Sequence, residues 1–178
     1  AQNVPSRDDV LVTRLKAAGA IMIGKSTTPE FGHKGLTDSP AFGTTRNPWD
    51  LSRSTGGSSG GAAGAVASGQ GPLGLGTDGA GSIRIPAAAC GLVGHKPTLG
   101  MVPYEATAEN FSSYAYAGPL TRTVTDSAVM LDVIAGPADS DPLTLHRGEC
   151  RLSPGLIGER LSGLRVGFIR KAANAELD

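Results

Sequence analysis

Residues 54–86 read STGGSSGGAAGAVASGQGPLGLGTDGAGSIRIP, a run dominated by glycine, alanine and serine. A stretch of this kind is either a flexible linker or a place where backbones approach one another closely. A linker of Gly and Ser carries no apolar punctuation. Here Val66, Leu73, Leu75, Ile83 and Ile85 interrupt the run at helix and strand spacing. The run therefore reads as buried structure. The chain holds 26 glycines in 178 residues, about twice the usual share of roughly 7%. Aromatics make up only 4%, so the core must be assembled from Ala, Val, Leu and Ile packed against bare backbone.

The flanking sequence supplies helices and strands around this run. Ser6 is placed to cap a helix, with Asp8 and Asp9 in its first turn and Leu11, Leu15 and Ala18 on one face. Gly19 is a natural stop. Ala20–Gly24, AIMIG, reads as a short buried strand. Residues 25–55 are broken by Pro29, Gly32, Gly35, Pro40, Gly43 and Pro48 and read as loop. Trp49, the only tryptophan, reads as a buried packing anchor. Ala62–Ser68 is a small-residue helix without a polar face, so it should be buried. Pro72–Thr77 reads as a central strand with glycines for close approach. Ser82–Gly91 reads as a second buried helix with Pro86 near its first turn. Thr123–Gly136 is the clearest helix, with Thr123 or Thr125 as cap, Asp126 in the first turn and Gly136 as stop. Leu164–Arg170 alternates as a strand does. Helices alternating with strands imply an α/β layer architecture.

The formal net charge is zero and there is no basic block, which argues against nucleic acid as a partner. No apolar run is long enough to span a membrane. Cys90 and Cys150 form neither a disulfide framework nor a metal-ligand spacing, and read as free thiols in a reducing cytoplasm. The chain starts at Ala1 and stops at Asp178 in mid-segment, so the expectation is a piece of something longer.

Three chemistries compete for the glycine–serine run. Gly74-Leu75-Gly76-Thr77-Asp78-Gly79 matches the dinucleotide fingerprint G-x-G-x-x-G. About 20 residues on, where an acidic residue should follow a second strand, stand Leu99 and Gly100, which weakens that reading. Gly57-Ser58-Ser59-Gly60-Gly61 matches a hydrolase elbow with Ser59 as nucleophile, but the elbow needs an apolar strand before it and NPWDLSRST is polar and proline-broken. The third reading pairs Ser58 with Ser82, 24 residues apart. A strand ending near Asp78 and a helix beginning at Ser82 would gather the amides of Gly79, Ala80, Gly81 and Ser82 into an anion-binding nest. A serine beside such a nest is the basic equipment for acyl transfer.

At this point the sequence resembles a known family, the amidase signature enzymes. The resemblance runs through AAGAIMIGKSTTPEFG, SPAFGTTRNPWDLSRSTGGSSGGAAGAVASG, PLGLGTDGAGSIRIPAAACGLVGHKPTLGMVP and GPLTRTVTDSAVMLDVIAG, nearly the whole chain. It implies an α/β/α sandwich around a large, mixed, twisted β-sheet, with residues 1–178 as the central part of one domain whose flanks are absent. It implies cleavage of small-molecule amides by a Ser–cis-Ser–Lys triad with no metal and no cofactor. By position, Ser82 matches the nucleophile and Ser58 the cis-serine, joined to Gly57 by a cis peptide. Ser59 matches a supporting serine, and the amides of Gly79, Ala80, Gly81 and Ser82 match the oxyanion hole. Asp78 and Arg84 match positions that brace the site, either as a local ion pair or in catalysis. The family often has glycine where Ala80 stands; a negative φ is expected there. The catalytic lysine lies in a G-x-P-x-x-x-K-D motif that this chain does not contain, and Lys25 and Lys96 read as structural. The expectation is therefore an amidohydrolase whose 178-residue piece is inactive alone. An amidotransferase-type glutaminase releasing ammonia for a partner, or a non-catalytic binding module of the same fold, are the alternatives. Tyr104, Phe111, Tyr114 and Tyr116 are candidate pocket residues, with core packing the plainer reading. Exposed apolar surface where flanks would dock implies association, including a homodimer.

Overall fold

The computed structural model describes residues 4–105, 114–144, 162–167, 171–172 and 175–176. Its centre is a three-stranded antiparallel sheet. Strand β5 (Leu73–Asp78) pairs along its whole length with β7 (Tyr116–Thr121), from Leu73 opposite Thr121 to Asp78 opposite Tyr116. Strand β6 (Val93–Gly94) adds to the other edge of β7. Hairpins β1 (Asp38–Ser39) with β2 (Gly43–Thr44) and β3 (Arg46–Asn47) with β4 (Asp50–Ser54) precede the sheet. A further pair, β8 (Lys171–Ala172) and β9 (Ala175–Glu176), follows it.

Alternation along β7 sends neighbouring residues to opposite faces. Leu120 packs on one side with Ala62 and Ala63 of α2 (Gly60–Ala67) and with Ile83, Ala87 and Cys90 in and beside α3 (Arg84–Cys90). Ala117 packs on the other side with Leu11 of α1 (Val10–Ala17) and Leu131 and Ile134 of α4 (Val124–Ile134). The result is the expected α/β/α layering. The large mixed sheet is not what the described residues form; their strand pairs are antiparallel and the sheets small. Burying Ile83, Leu120, Leu131 and Ile134 completely contributes about 1.5–3 kcal/mol each by area.

The small-residue helix α2 is buried as its composition requires. Glycines in β5 let the helices lie directly on the strand. A Cβ on Gly74 would stand 3.1 Å from Val66 Cγ2 and 3.3 Å from Ala62 Cβ. Thr123 caps α4, its hydroxyl accepting from the Asp126 amide at 3.0 Å. Arg14 closes the other end, donating to the carbonyls of Ile134, Ala135, Gly136 and Pro137. A cation there complements the negative end of the helix.

Four expectations are corrected. The cap of α1 is Asp9, whose carboxylate accepts from Leu11 N at 2.8 Å, and not Ser6. Residues 20–24 form no strand, and Ile21 is 88% exposed. This apolar run has no strand partner among the described residues; Ile23 Cδ1 lies 3.4 Å from the place of a Gly71 Cβ. Residues 164–167 are not a strand either, and the rest of that segment lies outside the described residues. Trp49 is an anchor of another kind: the residue is 70% exposed, while its indole N–H donates to Cys90 O at 2.7 Å. The helix bound by that hydrogen bond is α3, so the β3–β4 hairpin is tied to the helix behind the site.

Gly118 marks the tightest point of the sheet. An added Cβ would run into the carbonyl of His95, which cannot yield because His95 N is bonded to Pro119 O at 3.1 Å. Gly118→Ala is expected to lower stability by about 1–3 kcal/mol through overpacking, measured by urea unfolding at unchanged m-value.

Candidate active site

The site lies where β5 ends and α3 begins. Asp78, the last residue of β5, is 1% exposed and turns its carboxylate toward the next residues of the chain. Oδ1 accepts from Gly81 N at 2.8 Å, and Oδ2 from Ile83 N at 3.1 Å and Arg84 N at 3.3 Å. Arg84 closes the arrangement in two-pronged fashion, Nε to Oδ2 and Nη2 to Oδ1, both at 2.9 Å. Burial opposes the charge on Asp78, but the Arg84 bonds and the three amides together outweigh it and hold the carboxyl at about 2. Arg84 is correspondingly pushed up by the Asp78 hydrogen bond.

This clamp bends the chain so that Gly79 and Ala80 stand exposed and Ser82 half-buried. Gly81 takes φ +115°, a conformation that suits glycine. Phe31 is the one non-glycine with positive φ among the described residues, so Ala80 keeps the negative φ expected of it. Of the four amides read as a nest, that of Gly81 is committed to Asp78.

The second serine segment is locked to the first. The Gly57–Ser58 peptide is cis. Ser58 is 2% exposed, and the following Ser59 N–H donates to Ser82 O at 3.1 Å. Ser59 then bridges to β5: its hydroxyl donates to Thr77 O at 3.2 Å and accepts from Thr77 N at 3.1 Å. With its hydroxyl in that exchange, Ser59 does not fit the elbow nucleophile. Gly74 and Gly76 are likewise absorbed by packing against α2, Ser59 and Ile83, and do not present a pyrophosphate cradle.

Two features carry no motif that the sequence could announce. Thr37, 1% exposed, reaches into the Gly56–Gly60 loop. The turn Glu30–Gly32 overhangs Ser58: a Cβ on Gly32 would sit 3.6 Å from Ser58 Oγ. The only hint of either is the density of Pro and Gly between residues 29 and 48, which marks turns but not their targets.

The lysines are dispersed. Lys34 pairs with Asp38 at 3.2 Å and Lys16 with Asp8 at 2.7 Å, while Lys96 lies 3.6 Å over the Tyr116 ring. Lys25 is exposed. Of the candidate pocket aromatics, Tyr104 lines a groove of about 220 Å³ with Ser59, Leu75 and Thr77. Tyr114 is exposed beside Gly79, and Phe111 lies outside the described residues. Among the described residues no three His, Cys, Asp or Glu side chains converge as metal ligands would, and no helix is long and apolar enough to cross a membrane.

A strand-to-helix turn clamped by an ion pair thus packs against a loop with a cis Gly57–Ser58 peptide on an α/β scaffold. Comparisons with known proteins identify the family. A family model described as Amidase matches residues 1–178, and the chain belongs to that family, the amidase signature enzymes. It is 51% identical over 168 residues to an acylamidase of Rhodococcus erythropolis, covering 94% of this chain and 35% of that protein. It is 47% identical to a glutamyl-tRNA(Gln) amidotransferase subunit of Roseiflexus sp. (strain RS-1), covering 94% and 34%. Among solved structures, 6-aminohexanoate cyclic dimer hydrolase complexed with substrate superposes with a TM-score of 0.84 at 42% identity, covering 92% of this chain and 34% of that one. The chain thus spans about a third of the length of these relatives.

The Asp78 clamp makes a signed prediction. Its folded pKa lies below the ordinary value of 3.8, so its contribution is complete above about pH 4 and is lost as pH falls toward 2. The shift corresponds to at most about 2 kcal/mol, reduced because the Arg84 side is half open to solvent. Asp78→Asn is expected to lower the unfolding free energy at pH 7 and to flatten its decline between about pH 4 and 2, read from urea melts across that range.

Proposed function

We propose that the whole protein is an amidohydrolase that cleaves a carboxylic amide to acid and ammonia or amine through a serine acyl-enzyme, and that these residues form the central part of its single domain. The observation that carries the reading is the hydrogen bond from Ser59 N to Ser82 O. It ties the cis-serine loop to the residues just before α3, which supports reading Ser58 and Ser82 as members of one site.

In this mechanism Ser82 Oγ attacks the amide carbonyl carbon. Its proton passes to Ser58, and from there to the departing nitrogen as the C–N bond breaks. The carbonyl oxygen, negative in the tetrahedral intermediate, is received by the amides around Ser82, with those of Gly79 and Ala80 on the exposed side of the turn. Losing one such donor typically costs about 10²–10³ in rate. Gly81, bonded to Asp78, shapes the hole more than it donates to it. Water then hydrolyses the ester at Ser82. Ser59 supports the loop, and Asp78 and Arg84 hold the turn. The general base is a lysine outside these 178 residues, so the chain alone does not turn over. A general base contributes typically about 10²–10⁴.

The relatives favour two substrate classes. The acylamidase and the cyclic dimer hydrolase point to small amides. The amidotransferase relative supports a second reading, an ammonia-releasing protein that works with partners. The location we infer is the cytoplasm, since Cys90 is a buried free thiol; Cys150 lies outside the described residues. Exposed Ile21, Phe42 and Leu51 support association with further protein surface.

The test is a fluorophosphonate adduct in the full-length native protein, mapped by intact mass and peptide digestion. Labelling at Ser82 is expected, slowed by about 10²-fold or more in Ser58→Ala. A folded protein that takes no label would overturn the reading and leave a binding module of the same fold. Turnover by residues 1–178 alone, abolished by Ser82→Ala, would overturn the assignment of the base.

A further inference from the structure

Thr37 stands immediately before β1 and is fully enclosed. Its hydroxyl oxygen meets three main-chain groups of one loop. It lies 2.8 Å from Gly56 O and 3.2 Å from Ser58 O, and it accepts from Gly60 N at 3.0 Å. A hydroxyl has one proton and two lone pairs. It can therefore serve the carbonyls flanking the Gly57–Ser58 peptide with its single proton while accepting from the first turn of α2. Thr37 is itself held by Thr45 N, which donates to its carbonyl at 2.8 Å.

The loop is shaped to admit this side chain. A Cβ on Gly60 would collide with the Thr37 and Thr55 hydroxyls, and one on Gly57 with the Leu36 backbone. Thr55 repeats the motif more weakly, donating to Gly56 O at 3.2 Å. Gly56 O is thus bound from two sides, whereas Ser58 O and Gly60 N depend on Thr37 among the side chains described.

We propose that Thr37 is a positioning residue of the amide-cleaving site. Its hydroxyl fixes the carbonyls on both sides of the Gly57–Ser58 bond and, through them, the orientation of Ser58. The proposal rests on the assignment of Ser58 as the proton relay. A hydroxyl that merely filled a buried polar pocket would lower the melting temperature and leave the chemistry alone. One that aims Ser58 lowers the chemical step and leaves ligand binding alone.

The experiment uses the full-length native protein and the kinetics of fluorophosphonate labelling at Ser82, resolved into the maximal rate kinact and the half-saturating concentration KI. Thr37→Val is expected to lower kinact by about 10- to 100-fold with KI unchanged, as small misplacements of reacting groups do. Thr37→Ser, which keeps the hydroxyl, is expected to label at close to the native rate. In Ser58→Ala the further change Thr37→Val should cost nothing more, because residues acting as a unit are non-additive. Native labelling by Thr37→Val, or losses that multiply in the double variant, would overturn the proposal. So would a Thr37→Ser variant as slow as Thr37→Val, since the methyl group would then be the cause. If Ser58→Ala labels normally, the relay assignment fails and the proposal with it. Should Thr37→Val not fold, Thr37→Ala takes its place. If neither folds while Thr37→Ser does, the hydroxyl is structural and the proposal falls.

Discussion

The carboxylate of Asp78 collects three main-chain amides and a guanidinium at the point where β5 gives way to α3. Few other interactions in the fold commit so many donors to one group. Without it the first amides of α3 would have to find water inside a nearly closed turn, and a buried donor left unpaired costs about 1–3 kcal/mol. With it, the chain reverses from extended to helical within a few residues, and Ser82 emerges at the bend. The ion pair is asymmetric: the carboxylate is enclosed and Arg84 is half open to solvent. A buried anion with this many partners is held in one place, whereas its partner cation could be replaced by water at smaller cost. The orientation of the turn is therefore a property of Asp78 first and of Arg84 second.

Everything that leans on this turn does so through small residues. α2 approaches β5 across Gly74, and Ser59 approaches Gly76 with its hydroxyl turned to Thr77. A larger side chain at either glycine would push the cis-serine loop away from the strand. The bond from Ser59 N to Ser82 O forms because nothing stands between the two segments. Part of the glycine content has its explanation here: Gly60 and Gly76 are spaces into which the hydroxyls of Thr37, Thr55 and Ser59 fit.

Much of this was legible in advance, for a physical reason. α2, β5, α3 and α4 announce themselves by local rules, namely burial of a helix without a polar face, glycines in a strand, and a Thr cap with an Asp in the first turn. The cis Gly57–Ser58 peptide is implied by the resemblance, and the structure has it. What failed depended on neighbours. The run Ala20–Gly24 has the composition of a strand, but pairing is supplied by another segment and not by the run itself. Average burial places Trp49 in the interior, yet an indole N–H can anchor a hairpin through one bond to Cys90 O while the residue stays largely exposed. Thr37 was invisible because a lone threonine among prolines and glycines has no pattern. Only the fold brings it to residues 19 to 23 positions away.

The burial gradient across the site gives the proposed chemistry a direction. Ser82 is half-buried at the rim, while Ser58 and Ser59 are closed in behind it. A proton leaving Ser82 for Ser58 moves inward, away from bulk water, so whatever shares it with Ser58 must arrive from the buried side or past the overhanging Gly32 turn. Lys16, Lys25, Lys34 and Lys96 have other surroundings. Lys34 and Lys16 are committed to carboxylates, Lys96 lies on the Tyr116 ring, and Lys25 faces solvent. Burial among apolar and cationic neighbours is what lowers a lysine enough to serve. In the proposed mechanism the two serines come from the glycine-rich run, and a lysine base is a separate element that burial would have to tune.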